Sequence, residues 1–105
     1  MRRGEVWWAE LPPPIGRRPV VLLSQDVAYR VRTSVTVGIV TRVARNIPVE
    51  VPLRPEDGMP RRCVVNLDDI LTIPKARLVE RITMLSPQKM TAVARAVVFA
   101  LDLRV

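Results

Sequence analysis

Apolar and polar positions alternate along this chain in short spans, each closed by proline, glycine or a charged turn. Glu5 to Leu11 reads as a first strand carrying Trp7 and Trp8, and it stops at Pro12-Pro13-Pro14, which donate no ladder hydrogen bonds. Val20-Val21-Leu22-Leu23 is a continuous apolar run, so Pro19 to Ser24 is predicted to be a central strand covered on both faces. Gln25 to Ser34 is polar and predicts a loop or a short helical turn before a β-branched strand at Val35 to Thr41. Arg42, Arg45 and Asn46 mark a polar turn. Val49, Val51 and Leu53 then alternate with Pro48, Glu50 and Pro52, the period of a half-buried strand that its prolines confine to an edge.

Pro55-Glu56-Asp57-Gly58 is a turn sequence leading to a strand at Cys63 to Leu67. Asp68-Asp69 reads as a further turn rather than as a pair of ligands for a hard cation, since adjacent acids more often make turns. Ile70 to Ile73 and Leu78 to Met84 are two more strand-like spans around one helical turn at Pro74-Lys75-Ala76-Arg77. The clearest helix comes last: Ser86 is an N-cap, Pro87 takes the first helical position, and Met90, Val93, Val97 and Leu101 recur at helical spacing. Lys89 stands where a capping box places Glu or Gln, which works against the helix dipole and predicts a modest cost. Taken together, residues 1–105 are expected to form one mainly β domain, a small curled antiparallel sheet or barrel with the C-terminal helix packed on it. A DNA-reading helix-turn-helix needs two adjacent helices, and only one strong helical pattern is present.

Composition adds the nature of the partner. The 105 residues carry a net charge of +7 with a pI near 11.2, a field that attracts polyanions, nucleic acid above all. Most of that charge belongs to the first 45 residues, where eight arginines face Glu5, Glu10 and Asp26. Arginine outnumbers lysine, which occurs only at Lys75 and Lys89; the planar guanidinium suits phosphate, and a GC-rich genome would produce the same bias. The absence of histidine and the lone Cys63 remove the usual nitrogen and sulfur ligand sets, so neither a metal nor another cofactor is expected. No secretory signal is visible, and the longest apolar run, Ala92 to Leu101, is interrupted by Arg95 and too short for a bilayer, so a cytoplasmic protein without a membrane association is expected.

Several blocks together go further. Arg3-Gly4-Glu5-Val6-Trp7-Trp8-Ala9-Glu10-Leu11, then Gly16-Arg17-Arg18-Pro19-Val20-Val21-Leu22-Leu23-Ser24, then Val40-Thr41, Cys63-Val64-Val65-Asn66-Leu67-Asp68-Asp69-Ile70 with Thr72-Ile73, and the final Leu85-Ser86 helix, resemble the MazF/PemK toxins in the same order. The resemblance spans essentially the whole chain. It implies an SH3-like curled sheet, a symmetric homodimer, an acidic antitoxin as partner, and a sequence-specific endoribonuclease acting on single-stranded RNA: mRNA first, with tRNA and rRNA as alternatives. One departure is the short, stiff Pro12-Pro13-Pro14-Ile15-Gly16 segment, where members often carry a longer Gly- and Ser-containing loop, so no recognition sequence is carried over.

By the same resemblance the catalytic pair falls on Arg18 and Thr41, and RNA contacts fall on Gly16, Arg17, Ser24, Arg42, Arg45 and Asp69. The implied chemistry is attack of a ribose 2′-OH on the adjacent phosphate, giving a 2′,3′-cyclic phosphate and a 5′-hydroxyl, which requires proton transfer and stabilisation of negative charge. Arginine gives up its proton too rarely to serve well as a base, so Arg18 is expected to stabilise charge and donate a proton to the leaving oxygen, with Thr41 assisting. The blander alternatives are a surface cation at Arg18, an ordinary strand residue at Thr41 and a solvated basic face at Arg17, Arg42 and Arg45. Trp7 and Trp8, being adjacent on a strand, must face opposite sides; one is expected in the core and the other at a dimer interface or stacked on a base, packing being favoured. Two other function classes fit the fold: a non-catalytic SH3-like nucleic-acid-binding module and a gyrase-poisoning CcdB-like toxin.

Overall fold

The computed structural model describes residues 1–104 and shows a curled six-stranded antiparallel sheet closed by a C-terminal helix. In chain order the elements are β1 (Glu5–Glu10), β2 (Arg17–Leu22), the short helix α1 (Ala28–Val31), β3 (Ser34–Thr41), β4 (Glu50–Leu53), β5 (Cys63–Pro74), β6 (Leu78–Met84) and α2 (Pro87–Ala100). Single 3₁₀ turns at Pro55–Asp57 and Lys75–Arg77 complete the set. The strands lie in the order β4-β5-β3-β2-β1-β6, which makes the proline-containing β4 an edge and the apolar β2 an interior strand.

Alternation along β2 accounts for that interior position. Val21 points into one core with Val6, Val40, Val65, Leu67 and the α2 residues Val93 and Ala96. Val20 and Leu22 point the other way, into a second core with Ala9, Tyr29, Val35, Val37 and Ile73. Over Val20 to Leu22, where β2 is covered on both faces, no polar position fits, hence the unbroken apolar run.

Two expectations are corrected. Asp68 and Asp69 make no turn: β5 runs unbroken from Cys63 to Pro74. Its pairing with β3 jumps from Gly38↔Ile70 to Ile39↔Asn66, so Leu67, Asp68 and Asp69 are extra residues bulged out of the ladder. The bulge is held from within, the Asp68 amide donating to Asn66 Oδ1 at 2.9 Å, and it turns both carboxylates to solvent while Leu67 stays fully buried. Lys89, in turn, is not the liability its position suggested. Ser86 Oγ accepts from the Lys89 amide at 3.0 Å as the cap, while Lys89 Nζ donates to Pro52 O at 2.8 Å and pairs with Asp57 Oδ2 at 3.4 Å. The ammonium therefore ties α2 to the β4 edge and is compensated there. Gly58, which ends the 3₁₀ turn with φ +94, allows this corner to pack: a Cβ would lie 2.2 Å from Thr83 Oγ1.

Candidate active site

The cleft arises from a proline. The β2–β3 ladder runs from Leu22↔Val37 to Val20↔Ile39 and goes no further, because Pro19 has no amide proton to offer Val40. Beyond that point β2 remains paired to β1, through Trp8↔Pro19, Ala9↔Arg18 and Glu10↔Arg17. β3 meanwhile stays paired to β5, through Val40↔Val65 and Thr41↔Val64. The two interior strands therefore part, and continuing their register across the gap sets Arg18 opposite Thr41. The result is a cleft of about 430 Å³ with Arg18 and Pro19 on one wall and Val40 and Thr41 on the other.

Its lining is one-sided in charge. Arg17, Arg18, Arg42 and Arg61 contribute guanidinium groups, and among the described residues no carboxylate side chain lines the cleft. Among the described residues Arg18, Arg42 and Arg61 form no salt bridge, whereas Arg17 pairs with Glu10 at 2.9 Å and Glu80 at 3.6 Å. Concentrated, uncompensated cations are electrostatically costly, and a bound polyanion relieves that cost. Thr41 is only partly buried, and its Oγ1 accepts from the Val43 amide at 3.4 Å, leaving the hydroxyl proton to donate into the cleft.

Cys63 lines the cleft and belongs to the same buried cluster as Met59. Burial, reinforced by the Asp57 charge, pushes its thiol above the ordinary value, so at neutral pH it is a protonated wall residue and not a nucleophile. The cleft's donor set of hydroxyl, thiol and guanidiniums is unsuited to a divalent cation. Nowhere among the described residues do three or more His, Cys, Asp or Glu side chains gather.

Of the residues expected at the site, Arg17, Arg18, Thr41 and Arg42 come together in this cleft. Gly16 does not line it: it closes the β1–β2 hairpin directly before Arg17, with φ +72, and its carbonyl accepts from the Leu11 amide at 3.1 Å. Arg45 lies in the following loop, its amide held by Glu50 Oε1 at 2.8 Å, and does not line the cleft. Asp69 sits on the β5 bulge, also outside it. Ser24 belongs to a separate hydroxyl-rich concavity with Thr36 and Thr72, where its Oγ accepts from the Thr36 amide at 2.8 Å.

Sequence reasoning missed Arg61, which reaches the cleft from the loop before β5. The Arg61-Arg62 pair was visible, yet only the fold brings that loop beside Thr41. The two tryptophans do face opposite ways. Trp7 packs on the second core with Nε1 donating to Glu5 Oε1 at 2.9 Å, and Trp8 lines the cleft. Each remains half-buried, so neither is a full core residue.

Residues 2–101 match the family model described as PemK-like, MazF-like toxin of type II toxin-antitoxin system. A probable endoribonuclease MazF5 of Mycobacterium tuberculosis is 43% identical over 101 residues, covering 95% of this chain and 92% of that protein. Among solved structures, the Mycobacterium tuberculosis toxin MazF-mt6 superposes with a TM-score of 0.88 at 32% identity, covering 96% of this chain and 99% of the other. An endoribonuclease in complex with its cognate antitoxin, from a mycobacterial species, gives a TM-score of 0.90 at 28% identity, covering 100% and 98% of the two chains.

Proposed function

The chain belongs to the PemK-like, MazF-like toxins of type II toxin–antitoxin systems, and from that premise we propose that it is a metal-independent endoribonuclease which cuts single-stranded RNA in the Arg18–Thr41 cleft. The observation that carries this reading is the pairing gap at Pro19: the cleft that opens there is lined by Thr41 and four arginines, among them Arg18, with no salt bridge to Arg18 and no Asp or Glu in the lining among the described residues.

In the reaction the 2′-oxygen of one ribose bonds to the adjacent phosphorus while the bond from phosphorus to the 5′-oxygen breaks. The 2′-hydroxyl loses its proton to bulk water and the departing 5′-oxygen gains one, so the step is neutral in protons. Negative charge builds on the non-bridging oxygens between these events, and Arg18 meets it with a fork of donors that stays charged at neutral pH. We also assign to Arg18 the proton delivered to the leaving oxygen, which the guanidine regains from water, and to Thr41 a hydrogen bond that fixes the phosphate. Arg42, Arg61 and Arg17 hold flanking phosphates, so affinity falls steeply with salt. Gly16 makes the turn that leads the chain into Arg17.

This reading includes a symmetric homodimer acting in the cytoplasm, and an acidic antitoxin that neutralises the toxin by lying over the same basic cleft and competing with RNA. Charge complementarity supports it: the chain carries +7 overall, and the charged residues that line its cleft, Arg17, Arg18, Arg42 and Arg61, are all cations.

The test is incubation of the purified protein with end-labelled single-stranded RNA of mixed sequence in excess EDTA. Cuts at discrete positions are expected. An RNA left intact in EDTA but cut after magnesium is added would overturn metal independence, and an RNA left intact in both would overturn the nuclease.

A further inference from the structure

Trp8, Glu10, Arg17 and Glu80 fall on one face of the sheet, because Glu10 pairs with Arg17, and Trp8 pairs with Pro19 on one side and Glu80 on the other. The Arg17 guanidinium carbon stands 5.0 Å from the centroid of the Trp8 ring. Glu10 at 2.9 Å and Glu80 at 3.6 Å hold it there. Thus a half-buried indole forms part of the cleft wall, and a half-exposed side chain secured by surface carboxylates lies over it.

We propose that Trp8 is a nucleobase-stacking platform beside the scissile phosphate, and that Arg17 is its cover, displaced when an RNA phosphate draws the guanidinium away from Glu10 and Glu80. The proposal rests on the reading of the cleft as an RNA-cleaving site and specifies how that site grips a nucleotide. Exposed ion pairs restrain an arginine only weakly, and a cation over an aromatic face is a modest attraction. A phosphate offers the same fork of acceptor oxygens as a carboxylate, so the exchange keeps Arg17 paired while it frees the ring. Every base has a face that can stack, so the platform orients a nucleotide without selecting its sequence. Selection then falls to other walls of the cleft. Arg17 thereby acquires two roles, one over the ring when RNA is absent and one on the phosphate when RNA is bound.

A binding cycle tests this. The probe is an RNA that the wild-type protein cuts, carrying 2′-deoxyribose at the cleaved nucleotide so that it stays intact, and made with or without an abasic residue at each nucleotide flanking the cut. For the wild type, one of the two abasic substitutions is expected to weaken binding about tenfold or more. Trp8→Leu should bind the intact probe correspondingly less well and be indifferent to that abasic residue, while Trp8→Phe restores part of the dependence. Indole emission should be quenched when the intact probe binds the wild type or Arg17→Ala, and less so with the abasic one. Equal abasic penalties in wild type, Trp8→Leu and Trp8→Phe would overturn the platform while leaving the nuclease standing; a wild type that neither binds nor cuts RNA would overturn both. Should Trp8→Leu fail to fold, the emission readings on wild type and Arg17→Ala decide the matter alone.

Discussion

Two charged corners of this small fold are built on opposite rules. At the β4–α2 corner, Asp57 Oδ2 accepts from the Arg54 amide at 2.9 Å and pairs with Lys89, whose Nζ also donates to Pro52 O, so each half-buried charge has its partner. At the cleft, Arg18, Arg42 and Arg61 crowd together with no acidic partner among the described residues. Paired charges hold elements in place, whereas uncompensated ones are left available to a ligand. Function should thus be separable from stability simply by choosing which corner to mutate.

The largest effect is expected from Arg18→Ala. Losing a preorganised donor to the developing charge should lower the cleavage rate by roughly 10²–10³-fold. Thermal unfolding should be unchanged, since the side chain makes no ion pair among the described residues; Thr41→Val should follow the same pattern with about a tenfold loss. If Arg18→Ala lost activity and melting temperature together, the contrast between the two corners would fail.

Lys89→Met should behave in the opposite way. It strands Asp57 and frees Pro52 O, at a cost of about 1–2 kcal/mol in denaturant unfolding, with cleavage per folded molecule preserved. The smallest effect concerns Glu5. Burial pushes its carboxyl up, but the Trp7 indole, a backbone amide, the N-terminal charge and Arg81 outweigh burial and leave it below its ordinary value of 4.5. A carboxyl depressed by folding contributes stability above its unfolded pKa and loses it as the pH falls through the folded value. Unfolding followed from pH 6 to pH 3 should therefore show a shallower acid loss in Glu5→Gln than in the wild type.

Much of the fold was legible because strand positions announce themselves locally. The unbroken Val20–Leu23 run marked an interior strand, the Pro48 to Leu53 alternation an edge, and Ser86-Pro87 the start of α2. The β5 bulge was not legible, since Asp68-Asp69 is equally a turn sequence and only pairing with β3 decides that the chain runs straight on. Lys89 was misjudged for a related reason: its partner Asp57 lies 32 residues away, beyond the reach of capping rules. At the site, Arg18 and Thr41 came from ordered blocks in the sequence, but the gap that sets them face to face follows from where one proline falls in a ladder. Arg61 and the Arg17 cover over Trp8 depend on tertiary proximity and on an ion-pair geometry that spacing does not encode.

The chemistry assigned to the cleft is tested most directly by the ends it leaves on RNA. Attack by the 2′-oxygen, with Arg18 stabilising the charge, predicts a 2′,3′-cyclic phosphate on one fragment and a 5′-hydroxyl on the other, both formed in EDTA. Fragments ending in a 3′-hydroxyl and a 5′-phosphate would contradict the account, because they form when water attacks the phosphorus and the 3′-oxygen leaves, with the 2′-oxygen taking no part.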